Sequence, residues 1–129
     1  MKIEMITLPS TFNLAKLASE HSNFRRHKMG AVIVRKRPIS VGFNVYGKTH
    51  PKFSDQISTW SLHAEISAII HAQCDIEGST IYVYRQTADG QAALAKPCLN
   101  CYAALLEAGI VRAVYTTSEK PYFTELKIR

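Results

Sequence analysis

The pattern of hydrophobic and polar positions changes period several times along the chain, and each change marks a predicted element. After Pro9, Ser10 and Thr11 offer N-caps for a helix running to about Ser22, with Leu14, Leu17, Ala18 and His21 at helical spacing as the face that should cover a sheet. His21 on that face is read as a packed or rim residue rather than a ligand. Residues 29–35 form a near-continuous apolar run, Arg37-Pro38 breaks it, and Ile39 to Asn44 resumes in extended style with Val41 and Phe43 alternating, which predicts a β-hairpin. Residues 45–60 carry Gly47, His50, Pro51 and Ser54-Asp55 and read as a loop of the kind that builds substrate pockets. From Ser61, the expected N-cap, to about Ala72, the recurrence of Leu62, Ile66, Ile69 and Ile70 predicts an amphipathic helix.

Thr80 to Tyr84 is β-branched and aromatic, a strand, and Thr87 to Gln91 is a turn leading back through Ala92 to Lys96. Pro97 fits a helix start because its missing N–H would be unpaired there, and Gly109 fits the end of that helix after Leu105, Leu106 and Ala108. Ala113 to Thr117 is a buried strand. Strand, helix, strand in this order implies a parallel pair with a right-handed crossover, so the fold class is α/β with a mixed central sheet: an antiparallel hairpin at one side and parallel strands at the other. Lys120 to Arg129, with Tyr122, Phe123 and Leu126, is compatible with an edge strand or a short helix.

A length of 129 residues suits a single domain, 1–129, able to bury about two thirds of the surface its unfolded chain exposes, so a metal is not needed to make up for a small core. No apolar run approaches the eighteen or so residues that span a bilayer, and Met1-Lys2-Ile3-Glu4 does not open a signal-peptide pattern. A cytoplasmic location without membrane contact is expected. The three cysteines fit a reducing compartment, two of them sharing one short motif and Cys74 reading as a small buried apolar residue after a helix. A formal charge of +6 favours anionic partners such as nucleotides or nucleic acid. Much of it sits in Arg25-Arg26-His27-Lys28 and Arg35-Lys36-Arg37, where no aromatic residue interleaves to stack a base, and a solvated loop and hairpin are expected there in preference to the alternative, a phosphate-binding patch.

Two short stretches carry the chemistry. His63-Ala64-Glu65 and Pro97-Cys98-Leu99-Asn100-Cys101 together supply three soft metal ligands and one unattached carboxylate. Cys98 and Cys101 are spaced to put both sulfurs on one helix face, with His63 approaching from a second helix to complete a Zn2+ site. Structural zinc is normally closed by four protein ligands, whereas three leave a position at which water reaches a pKa of roughly 7. Glu65 projects about 200° around the helix from His63 and so is free to move protons rather than ligate. Both motifs open helices, whose positive ends favour thiolate, and a free first-turn N–H such as that of Ala64 can hold a substrate carbonyl.

The same residues, His63-Ala64-Glu65 followed by Pro97-Cys98-Leu99-Asn100-Cys101, resemble the zinc-dependent cytidine and deoxycytidylate deaminase superfamily, whose signature pairs H-x-E with P-C-x-x-C. The resemblance runs from about Met29 to Thr117 and is closest to bacteriophage-type deoxycytidylate deaminase-like proteins. It implies a three-layer α/β/α cytidine deaminase-like fold, metal ligands His63, Cys98 and Cys101, and Glu65 as the catalytic proton shuttle. Asn44 matches the asparagine that contacts the sugar in relatives, and Lys48 and His50 follow in the loop where a phosphate would be met. The activity implied is hydrolytic deamination of a cytosine nucleotide, most simply dCMP to dUMP and ammonia. A cytidine or deoxycytidine deaminase, a nucleic-acid editor and a catalytically silent zinc module stay open as alternatives, with nucleic acid not favoured. The resemblance also implies a homo-oligomer, for which Trp60, Tyr122 and Phe123 are the aromatic residues outside the clear core pattern. Lys96-Pro97 departs from the Glu-Pro of tRNA-editing and riboflavin-pathway relatives, and no further His or Cys cluster before His63 suggests a second zinc.

Overall fold

Alternation within three strands sets the layers. The computed structural model describes residues 8–46 and 61–129. In chain order the elements are α1 (Phe12–Ser19), β1 (Lys28–Arg35), β2 (Arg37–Phe43), β3 (Val45–Tyr46), β4 (Ser61–Leu62), α2 (Ala64–His71), β5 (Thr80–Gln86), β6 (Ala92–Ala93), α3 (Leu99–Ala108), β7 (Arg112–Thr116) and β8 (Phe123–Lys127). The main sheet has the order β2-β1-β5-β7-β8, with β6 added beside the end of β5, and β3 and β4 form a separate pair. Among the described residues only β5 and β7 run parallel; the other pairings are antiparallel. Ala31, Ile33, Ile81, Val83, Ala113 and Tyr115 point to one face and pack with Ala64, Ala68 and Leu105 of α2 and α3. Their neighbours Val32, Tyr84 and Val114 point to the other and pack with Phe12 and Ala15 of α1. One helix on one face and two on the other make the expected three-layer α/β/α arrangement around a mixed sheet.

The first helix is rotated from its expected setting. Its buried residues are Phe12, Ala15, Ala18 and Ser19, while Leu14 and Leu17 are 38% and 56% exposed and His21 lies beyond the helix end, exposed. The cause is a close approach: a Cβ on Gly30 of β1 would stand 1.9 Å from the Ala15 carbonyl oxygen. Where the helix crosses Gly30 only small side chains such as Ala15 and Ser19 fit, so this face turns inward and the two leucines turn outward.

The hairpin turns at Lys36, which takes φ 65°, and not at Arg37-Pro38. Pro38 lies inside β2, opposite Val34 and beside a register shift between Ile33 and Val34. An edge strand tolerates it, because its missing N–H removes no ladder bond that a central strand would need. At the other edge, the C-terminal stretch is a strand, β8, antiparallel to β7. Phe123 from it packs against Phe12 with ring centroids 6.1 Å apart, so this aromatic covers the domain's own core. Cys74 is exposed, not buried as expected. It falls in the connection after α2, where Ile76 and not Cys74 turns inward.

Candidate active site

The helix that presents His63 and Glu65 is held against β2 by an absent side chain and two hydroxyls. A Cβ on Gly42 would stand 2.3 Å from the Ala68 nitrogen and 2.6 Å from the Ala64 oxygen, so only glycine lets α2 lie this close to the strand. Ser40 Oγ donates to the Ala68 carbonyl at 2.7 Å, and the Phe43 N–H donates to Ser67 Oγ at 3.4 Å. Sequence reasoning passed over Gly42 and Ser40 as positioning residues, although an isolated glycine in a strand pattern signals a close backbone approach.

Both metal motifs open helices, but one residue outside them. Ser61 is not the N-cap; it pairs with Tyr46 in the small β3–β4 ladder. His63 caps α2 in extended backbone, φ −75° and ψ 152°, leaving Ala64 as the first helical residue and Glu65 as the second. Likewise Cys98, and not Pro97, adjoins α3: it takes φ −68° and ψ 169°, and its sulfur accepts the Cys101 N–H at 3.4 Å. Extended backbone at each cap swings the His63 and Cys98 side chains across the helix mouths, where Cys101, in the first turn of α3, meets them. Gly109 ends α3 in the left-handed conformation at φ 88°, as expected.

His63 Nδ1 lies 3.2 Å from Cys101 Sγ and 3.7 Å from Cys98 Sγ, and the three ligand atoms all fall within 4.8 Å of one another. Zinc bonds of about 2.0 Å to nitrogen and 2.3 Å to sulfur at tetrahedral angles would separate N from S by roughly 3.5 Å, so the donor set fits a zinc ion. Cys101 is buried, His63 is half-buried and Cys98 is exposed, so among the described residues the cluster is least covered on the Cys98 side.

The electrostatics fit the same purpose. Hydrogen bonds from the Cys101 thiol and the His63 ring, the larger of them from Cys101, hold Cys98 down to about 4, while the bond to Cys98 and burial push Cys101 up. Its bond to Cys98 raises His63. The cluster thus keeps protons where a metal would bind, and metal binding releases them. Glu65 is 2% exposed and reaches the Cys101 thiol. Burial pushes its carboxyl up to about 7, against the pull of its own backbone N–H and of His63. A carboxyl poised there can both take and return a proton near neutral pH.

The family model for the cytidine and deoxycytidylate deaminase zinc-binding region matches residues 7–117. The chain belongs to this deaminase family. A protein of Aliivibrio fischeri described as an uncharacterized deaminase in the luxG 3′ region is 34% identical over 105 residues, covering 77% of this chain and 65% of the relative. The deoxycytidylate deaminase of Saccharomyces cerevisiae is 31% identical over 119 residues, covering 81% of this chain and 36% of the yeast enzyme. The chain therefore spans somewhat under two thirds of the one relative and about a third of the other. Among solved structures, the dCMP deaminase of the cyanophage S-TIM5 has the same fold, with a TM-score of 0.61 at 23% identity over 85% of this chain and 82% of that one. The possible metal site of His63, Cys98 and Cys101 draws on two helix starts.

Of the other expected site residues, Ala64 is buried at the first position of α2, where its N–H lies outside the helical ladder. Asn44 is 7% exposed and engaged with backbone: its Oδ1 accepts the Met29 N–H at 2.9 Å and its Nδ2 donates to the His27 carbonyl at 2.6 Å. It therefore holds the start of β1 to the end of β2, with one amide hydrogen and one lone pair left over. Lys48, His50 and Trp60 lie outside the described residues.

Proposed function

We propose that this chain catalyses the hydrolytic deamination of a cytosine nucleotide, dCMP to dUMP and ammonia. The observation that carries the reading is the buried Glu65 carboxyl beside a three-ligand cluster that, among the described residues, is least covered on the Cys98 side. Zinc held by His63, Cys98 and Cys101 supplies the Lewis acidity that makes water nucleophilic near neutral pH. Glu65 takes the proton of the water attacking C4, delivers it to N3, and then assists the departing amine. Its position, second in α2, keeps it from competing for the metal while leaving it beside the ligands. The Ala64 N–H holds the cytosine carbonyl, and the remaining amide hydrogen of Asn44 meets the sugar. Lys48 and His50 are assigned to the phosphate.

The nucleotide, rather than the nucleoside, is favoured by the likeness to yeast deoxycytidylate deaminase and by the chain's positive charge. A panel of dCMP, deoxycytidine, cytidine and a cytosine-containing oligonucleotide, read by ammonia release from the zinc-loaded protein, tests it. The expected order is dCMP first, with the oligonucleotide a poor substrate. A faster oligonucleotide would make the protein a nucleic-acid editor.

The same reading includes a homo-oligomer and a cytoplasmic location; no helix among the described residues is long and apolar enough to cross a membrane. Leu99, 83% exposed at the start of α3, and Leu106 on the same helix supply apolar surface that oligomerisation would cover. Sedimentation at micromolar concentration should give a mass that is a multiple of 14.4 kDa, and a monomer alone would refute it.

A further inference from the structure

The basic stretch at residues 25–28 places the His27 side chain against Arg85 of the adjoining strand. Arg85, near the end of β5, donates from Nη1 to the Leu94 carbonyl at 3.1 Å and from Nη2 to His27 Nδ1. Arginine has only donors, so His27 Nδ1 is the acceptor of this bond. Arg85 Nε is buried with no hydrogen-bond partner, and among the described residues no carboxylate pairs with this guanidinium. A half-buried arginine without a carboxylate holds a charge that a bound anion would neutralise.

Its place in the sheet says which anion. Side chains of β5 alternate, and Ile81 and Val83 point to the face covered by α2 and α3, while Tyr84 and Gln86 point toward α1, where Gln86 reaches Ser19. Arg85 therefore projects on the face of the metal ligands. It also lies at their end of the sheet: it pairs with Met29, which is bonded to Asn44, and it holds Leu94, four residues before Cys98. Its guanidinium thus bridges the two segments that frame the cluster, the Asn44 end of the hairpin through His27 and the approach to α3 through Leu94.

We infer that Arg85, backed by His27, is a specificity-determining residue that receives the phosphate of the substrate. The inference rests on the deaminase reading and deepens it. One N–H on each of Nη1 and Nη2 remains after the bonds to Leu94 and His27, and a phosphate oxygen pair suits such a fork in a way that no neutral sugar hydroxyl does. His27 keeps the fork aimed. From the sequence, Lys48 and His50 are the phosphate candidates, with the cluster around His27 as a less favoured patch, and Arg85 is missed because it joins His27 only through strand pairing.

The test compares the zinc-loaded chain with Arg85→Gln and Arg85→Lys, using dCMP and deoxycytidine as substrates and dUMP and deoxyuridine as calorimetric ligands. Arg85→Gln should lower kcat/KM for dCMP by roughly ten- to a hundredfold and weaken dUMP binding similarly, the loss expected for one charge-assisted contact. Deoxycytidine and deoxyuridine should change less than threefold, zinc content should stay at the parent value, and Arg85→Lys should recover part of the loss. A loss shared equally by nucleotide and nucleoside would make Arg85 a mere prop for the Leu94 segment and overturn the inference, as would unchanged dCMP kinetics. If the parent chain turns over dCMP and deoxycytidine equally, the deaminase reading stands and the inference fails. If it turns over neither and binds neither product, both fall.

Discussion

Gly42→Ala is the substitution that most directly probes how the fold places the chemistry. The added methyl would stand 2.3 Å from the Ala68 nitrogen, 2.6 Å from the Ala64 oxygen and 2.8 Å from the Ser67 carbonyl carbon, all backbone atoms of α2 that cannot swing aside. Ordinary contact begins near 3.4 Å, so α2 must withdraw from β2 by about 1 Å. That movement stretches the 2.7 Å bond from Ser40 to the Ala68 carbonyl past any useful length and breaks the 3.4 Å bond between Phe43 and Ser67. Overpacking costs about 1–3 kcal/mol and each lost bond about 0.5–1.5 kcal/mol, a total of roughly 2–6 kcal/mol against a typical stability of 5–15. His63 caps the moved helix, whereas Cys98 and Cys101 belong to α3. A shift of about 1 Å exceeds the tolerance of roughly 0.2 Å in metal–ligand distances and is enough to cost about a hundredfold in turnover. Zinc affinity, measured by competition with a chromogenic chelator, should fall at least tenfold, and the denaturant midpoint should drop. Gly90→Ala is the control: nothing lies within 4 Å of its Cβ, so it carries only the strain of φ 86°, roughly 1–2 kcal/mol, with zinc affinity unchanged. A Gly42→Ala protein that keeps zinc affinity within twofold and stability within about 0.5 kcal/mol would refute the claim that this contact sets the site.

Glu65→Gln should keep the fold and the metal, since the amide is nearly isosteric, but lose about two to four powers of ten in turnover because it cannot carry a proton; near-parental turnover at full zinc content would point to a silent zinc module. Cys98→Ala removes both a ligand and the sulfur that accepts the Cys101 N–H, so metal analysis should find most of the zinc gone, and added zinc should no longer raise the unfolding midpoint as it does in the parent. Full zinc retention in that variant would remove the site as described.

The sequence alone determined the order of the principal helices and strands, the mixed sheet and the three candidate metal ligands, because each rests on information carried within a few residues: period-two alternation in 80–84, a proline and a glycine bracketing α3, and H-x-E and C-x-x-C spacing. What it left undecided depends on distances between segments remote in the chain. The buried face of α1 turned on how closely Gly30 admits the helix, not on the helix's own periodicity, so Ala15 and Ser19 went in and Leu14 and Leu17 went out. The N-cap of α2 moved from Ser61 to His63 because β3 captured Ser61 in a ladder, a tertiary pairing that outweighs capping preference. Asn44 matched a sugar-contact pattern, yet most of its hydrogen bonding goes to Met29 and His27, which only the pairing of β1 with β2 brings within reach. Arg85 and His27 are 58 residues apart and meet only because β5 lies beside β1. Local chemistry is written in spacing, whereas which groups share a site is decided by strand order and by the few glycines that let helices close on the sheet.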